Sequence, residues 1–369
     1  MIEQIEFFDL MNRNRIEFVK STGRAAIGWS SIYTPEEILY AANLTPFRIT
    51  GEYADSISQA GSMICSNYCS YLLHCLGEGI EGHYDFVDGF VFVDECDWRK
   101  RLYETWTKNL QPSFHYLLEL PKTVTPQSRK YFYMQLKKWI GALEDHYHIE
   151  ITEDRLLKSI QIHNETRHLL QQLYELRKSD APPITGAEVM QIVKASTVGL
   201  KEQFNAQLSN YLQELSHRQN TAAKRHRVLL CGSYYDQPEI TEIIEQTGAL
   251  IVCEDLSTGI KYVEGAIDEE AEPIQAIADY YLNKATCARM FDSDIRLQHL
   301  LRLIEEYQVE SVIYFTLKFC DIYLMDYPYI SSQLQKRGIS LLFIEGEQQM
   351  TNIQSIKTRI QTYLETRMF

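Results

Sequence analysis

Short, unbroken apolar runs alternate along this chain with longer amphipathic stretches. Val87 to Val93, Phe114 to Pro121, Val228 to Cys231, Ile251 to Cys253, Val312 to Phe319 and Leu341 to Glu345 are rich in β-branched and aromatic residues. Runs this continuous predict strands buried on both faces, as in a parallel sheet, because a strand with one wet face alternates. Two shorter strands, within Gly23 to Trp29 and over Phe47 to Thr50, precede them. Helical signal fills the intervals: residues 1–20, Gly61 to Leu76, Arg99 to Leu110, Ser128 to His146, Leu156 to Lys178, Gly186 to Arg218, Ala276 to Leu282, Arg296 to Tyr307, Ile330 to Lys336 and Ile353 to Phe369. Strand, loop and helix in repeated order is the α/β pattern. It occurs twice, so the expected organisation is an N-terminal α/β domain over 1–152, a helical connector over 153–223 and a C-terminal α/β domain over 224–369, with no tandem repeat.

Local punctuation refines this. Thr34-Pro35-Glu36-Glu37 reads as a helix start with an N-cap threonine, proline at the first position and a capping box. In the expected helix from Gly61 to Leu76, Cys65 and Cys69 stand one turn apart on one face, with Cys75 elsewhere around it and Gly77 and Gly79 ending it.

Composition narrows the function. A chain of 369 residues exceeds what one core usually supports, which favours two domains. A formal net charge of −14 argues against nucleic acid or an anionic membrane surface as the main partner. The acidic start lacks the basic-then-apolar order of a secretory signal, and no apolar run approaches the ~18 residues of a membrane span. The expected location is cytoplasmic, where eight cysteines are free thiols or metal ligands rather than a disulfide framework.

Two of those cysteines sit alike. The strand ending near Val93 runs into Cys96-Asp97, and the strand ending near Phe319 runs into Cys320-Asp321. Ligands in open α/β sheets collect at that edge. Cysteine is also a small, readily buried residue, so either position alone has a plain packing explanation. Two matching cases, with Cys65 and Cys69 upstream, point toward a metal or iron–sulfur site. Gly232-Ser233 lacks both nucleotide-binding glycine spacings and reads as a tight strand-to-helix turn. His74 reads as a helix-surface residue, and without a G-x-S-x-G elbow no hydrolase triad can be nominated. Cysteine ligation remains, and soft thiolates suit either zinc or an iron–sulfur cluster.

Several segments, taken in order, resemble the beta (small) subunit of the 2-hydroxyacyl-CoA dehydratases, a family related to benzoyl-CoA reductase subunits. They are Ala26 to Ala42, Cys65-Ser-Asn-Tyr-Cys69, Cys96-Asp97, Asn164-Glu-Thr-Arg167, Phe319-Cys320-Asp321 with Asp326-Tyr-Pro328, and Gly338 to Glu345 before Thr358-Arg359-Ile360. The resemblance spans nearly the whole chain. It implies two flavodoxin-like (Rossmann-like) domains, with a [4Fe–4S] cluster held by Cys69, Cys96 and Cys320, Cys65 being a possible fourth ligand or a core residue, with packing favoured. The implied reaction dehydrates a (R)-2-hydroxyacyl-CoA to a 2-enoyl-CoA through a ketyl radical. The implied partners are a homologous alpha subunit, which mainly carries the acyl-CoA substrate, and an ATP-hydrolysing iron–sulfur activator. The loop with Ser30 and Ser31, and Glu37 beyond it, is expected to face the cluster as a lid and hydrogen-bond donor. Asn43 departs from the pattern where glycine is common, and Leu256-Ser257-Thr258-Gly259 where some relatives carry a cysteine; the missing cysteine argues against a larger double cluster, and Cys287 alone is then a buried thiol. The alternatives are a benzoyl-CoA-reductase-like reductase or electron-transfer subunit, and a non-enzymatic metal-binding or assembly protein.

Overall fold

The computed structural model of the protein describes residues 4–368 apart from 56, 66, 219–224, 285, 286 and 351. Its first sheet contains β1 (Ala26–Trp29), β2 (Thr45–Arg48), β3 (Gly89–Val93) and β4 (Phe114–Leu118), all parallel, in the order β2-β1-β3-β4. The second contains β5 (His226–Gly232), β6 (Ala249–Asp255), β7 (Ser311–Leu317) and β8 (Leu341–Gly346), parallel and ordered β6-β5-β7-β8. Each is a flavodoxin-like sheet, so the expected α/β architecture holds. In this order the chain leaves the first strand toward one edge and returns on its other side, which opens a crevice beyond the carboxyl ends of the first and third strands.

Burial explains the hydrophobic pattern. Every residue of β3, β6 and β7 is buried, whereas the edge strand β4 exposes His115 and half-exposes Tyr116 and Leu117. Three helices, Glu153–Leu176, Gly186–Ala195 and Lys201–His217, lie between the two sheets in sequence, the last two separated at Gly199, whose φ is +68°. The expected boundary at 223/224 lies outside the described residues. The first helical stretch is two helices, Gln4–Arg13 and Arg15–Ser21, with residues 1–3 outside the described residues. One apolar cluster includes Phe47 and Tyr71 from the first half together with Tyr234 and Phe315 from the second, so the two halves share a core. Among the described residues no helix is long and apolar enough to cross a membrane.

Three local expectations are overturned. The helix Glu36–Ala41 has Pro35, not Thr34, at its cap and no side-chain capping bond. Glu36 and Glu37 are instead buried against Lys201 and Arg167 of the connector helices, and a buried cation outcompetes a backbone amide for a carboxylate. The helix expected over Gly61 to Leu76 breaks: Ser58–Met63 ends at an extended Ile64, and a new helix, Ser70–Ile80, begins after Cys69. Gly77 and Gly79 lie inside that helix rather than ending it. A Cβ on Gly79 would stand 2.6 Å from Leu110 and 3.0 Å from Trp106, so the glycine is what lets this helix pack against Asp97–Leu110.

Candidate cysteine-lined cofactor site

Cys69, Cys96 and Cys320 line one cavity of about 140 Å³ between the carboxyl edges of the two sheets. Each stands in the same local position. Cys69 is the N-cap of the helix Ser70–Ile80, Cys96 of Asp97–Leu110, and Cys320 of Asp321–Gln335. Three helix N-termini therefore converge on the cavity, and their free amides and dipoles favour negative charge there. This also accounts for the repeated Cys-Asp signature. Asp97 and Asp321 are the first residues of their helices, where an acid suits the dipole, and Asp97 points outward to Arg289 at 3.1 Å.

The turns that deliver the cysteines follow from strand endings. After β3, Asp94 still donates its amide to Leu118, and the carbonyl of Cys96 accepts from Arg99 and Lys100 as the helix begins. After β7, Lys318 still bonds Gly346, Phe319 takes a left-handed φ of 63°, and Cys320 donates back to Leu317. Cys69 is placed by contacts across the halves: the hydroxyl of Ser70 beside it accepts the amide of Gln348, which follows β8, at 3.1 Å. Tyr71 stacks on Tyr234 with ring centroids 3.8 Å apart, one ring from each half.

The thiols are electrostatically distinct. Cys320 hydrogen-bonds the sulfur of Cys69, and this bond, the helix amides of Leu72 and Tyr71, and Arg99 hold Cys69 below the ordinary thiol range against the effect of burial. The same bond, with burial, raises Cys320. Burial pushes Cys96 up to about 12, with Arg99 pulling the other way. Cys69 is thus the thiol of the pair that ionises more readily and Cys320 the one that keeps its proton longer.

The donors surround a volume rather than a point. Among the described residues no three His, Cys, Asp or Glu side chains gather about a single ion position. Three thiols from three helix starts around one cavity, with Arg99 as a buried cation in the wall, are a soft donor set of the kind that holds zinc or a thiolate-ligated cluster.

Of the other candidates, Cys65 is exposed and does not line the cavity, so it is not the core residue expected. Cys75, Cys231, Cys253 and Cys287 are buried away from it. His74 is buried, not on the helix surface, and its Nδ1 meets the Ser70 carbonyl at 2.8 Å. Ser233 donates its amide to Phe315 and accepts from Leu317, so its own amide is taken, but the next helix begins only at Pro238 and the expected tight strand-to-helix turn is a loop instead.

Ser30 and Ser31 end β1 at the strand-order reversal, but they are fully buried behind the cavity wall and form no lid. Ser31 donates to Glu95 at 2.6 Å, Arg99 donates to Ser30 at 2.5 Å, and Arg99 Nε meets Glu95 at 3.1 Å. They reach the cavity only through Glu95 and Arg99, which do line it. Glu37 is elsewhere, buried and bonded by Arg167 and by Tyr281 at 2.9 Å. Burial opposes its charge, yet Arg167 and His163 hold its carboxyl at about 2. Sequence reasoning missed Glu95 and Arg99; their i, i+4 spacing across the Cys96 turn was the available signal.

Comparison with known proteins gives the family. The family described as "2-hydroxyglutaryl-CoA dehydratase, D-component" matches residues 31–366. The (R)-phenyllactyl-CoA dehydratase beta subunit of Clostridium sporogenes is 26% identical over 95% of this chain and 94% of its own length. The beta subunit of lactoyl-CoA dehydratase from Anaerotignum propionicum is 24% identical over 95% and 93%. A benzoyl-CoA reductase subunit of Thauera aromatica is 24% identical over 93% and 91%. With the family profile covering nearly the full length, this chain belongs to the 2-hydroxyacyl-CoA dehydratase component family.

Proposed function

We propose that this chain is the beta-type, iron–sulfur subunit of a 2-hydroxyacyl-CoA dehydratase, working with a homologous alpha subunit and an ATP-hydrolysing activator. The observation that carries the reading is the convergence of Cys69, Cys96 and Cys320, from both halves of the chain, on one cavity at three helix starts. These three thiolates would hold a [4Fe–4S] cluster. When bound, that group supplies one-electron transfer at low potential.

The chain's own residues supply the setting. Helix amides and Arg99 offset the negative charge of the thiolates, and the Tyr71–Tyr234 stack closes one side of the cavity. The mouth is mixed: Met325 lines both the cavity and an adjoining surface groove, and with Phe291 it is among the most exposed large apolar side chains, at 78% and 75%, beside the charged Asp97, Arg289 and Asp321. Two large apolar side chains exposed within a polar rim beside the site support a covering partner. Of the three carboxylates in the cavity wall, Glu95 is engaged by Arg99 and Ser31 and Asp97 by Arg289, while Asp321 opens the helix that follows Cys320.

A reductase subunit is the second reading, supported by the likeness to the benzoyl-CoA reductase subunit. Anaerobic purification with the co-expressed alpha chain, followed by iron and sulfide assay and the visible spectrum, tests the cluster. A brown protein that loses iron and absorbance with serine at any one of Cys69, Cys96 or Cys320, but not at Cys75, Cys231 or Cys253, is expected; a colourless wild type or cluster loss only at Cys231 would overturn it. Turnover of (R)-2-hydroxyacyl-CoA against an aromatic acyl-CoA separates dehydratase from reductase.

A further inference from the structure

Among the groups in the cavity wall, Arg99 is built in rather than resting on the surface. Its Nε is held by Glu95 at 3.1 Å and its Nη1 by Ser30 at 2.5 Å, while Ser31 fixes Glu95 from behind at 2.6 Å. Its guanidinium lies over Tyr71 at 5.7 Å. Three residues from two loops, Ser30 and Ser31 after β1 and Glu95 after β3, thus lock one planar cation in one orientation. Its Nη2 has no hydrogen-bond partner among the described residues, and the residue lines the cysteine cavity. The other cation in that wall, Arg289, is 37% exposed and already engaged by Asp97, so solvent screens it.

We propose that Arg99, locked by Ser30, Ser31 and Glu95, is the positioning residue that sets the reduction potential of the group held by Cys69, Cys96 and Cys320. The inference rests on the cluster reading above. Reduction adds one negative charge to the bound group; a fixed buried cation beside it stabilises the reduced form more than the oxidised form, and low dielectric preserves the effect. Glu95 acts in the opposite sense, but its carboxylate is turned to Arg99 and Ser31. The arrangement also explains why two buried serines stand at the strand-order reversal without reaching the cavity: they aim the cation.

The test is a dithionite titration of the anaerobically purified heterodimer, followed by electron paramagnetic resonance, with iron content and circular dichroism on every variant. Arg99→Gln is expected to shift the midpoint to more negative potential at unchanged iron content, Glu95→Gln to shift it the other way, and Arg99→Lys to restore part of the Arg99→Gln loss. Ser30→Ala is expected to give a smaller negative shift alone and none in the Arg99→Gln background, because it acts through the guanidinium. Glu95→Gln with Arg99→Gln leaves no unpaired buried charge, and a negative shift in that double variant carries the inference if Arg99→Gln fails to fold. Equal midpoints in wild type and the Arg99 variants, or a serine effect that persists without Arg99, would overturn the inference while leaving the cluster in place. A wild type that loads no iron overturns both.

Discussion

The thiol of Cys320 hydrogen-bonds the sulfur of Cys69, although the two residues open helices in opposite halves of the chain. The contact requires the carboxyl edges of both sheets to face one cavity. It also makes Cys69 the most acidic thiol of the set.

The first prediction is therefore about thiol reactivity in the cluster-free chain. Because Cys69 is held below the ordinary thiol range by Cys320, by helix amides and by Arg99, its thiolate should persist to lower pH than that of Cys75 or Cys253, which burial pushes up. Iodoacetamide labelling read by peptide mass spectrometry at pH 7 should modify Cys69 ahead of the likewise buried Cys75 and Cys253, and Cys320→Ala should slow it. Labelling of Cys253 ahead of Cys69 would contradict this.

Glu37 gives a stability prediction. Its folded carboxyl lies at about 2, below its ordinary value of 4.5, so the stabilisation is complete above pH 4.5 and is lost as pH falls toward 2. The stabilisation at neutral pH is on the order of 3 kcal/mol. Glu37→Gln leaves Arg167 buried without its counter-charge, which costs about 3–5 kcal/mol. Urea unfolding should show that loss at pH 7 and a flatter acid limb; a midpoint close to that of wild type would remove Glu37 from the scaffold.

The exposed Phe291 and Met325 predict partner binding. Phe291→Glu and Met325→Glu place charges where a covering alpha chain would desolvate them, so each should weaken its co-purification at least tenfold, about 1.4 kcal/mol. Secondary structure and single-chain stability should hold, since both side chains are exposed. Undiminished association would move the interface elsewhere.

Gly79 separates propensity from packing. Glycine is a poor helix former, and substitution inside an exposed helix would stabilise it. Here Trp106 and Leu110 occupy the space, so Gly79→Val should destabilise by about 1–3 kcal/mol. A rise in denaturation midpoint would mean the helices Ser70–Ile80 and Asp97–Leu110 separate without cost.

The sequence alone determined the strands and their succession along the chain. β3 and β7 are legible because both faces are buried, which removes polar alternation and leaves runs such as Gly89–Val93 and Ser311–Leu317 unmistakable. The cysteines following them were legible for the same reason: a strand end in a parallel sheet is a fixed place. Tertiary structure decided what depends on partners distant in sequence. The helix around Cys69 breaks at Ile64, and Cys65 turns to solvent, because Cys69 is drawn to Cys320 and Ser70 to Gln348. Glu36 and Glu37 abandon the expected capping box for Lys201 and Arg167, whose charges a local reading cannot see. Ser30 and Ser31, expected to face the cavity, stand behind Arg99, since side-chain direction at a strand end is set by the neighbouring strand's loop. Short-range propensity and burial periodicity write the elements; long-range charge pairing and the meeting of two sheets select which side chains reach the site.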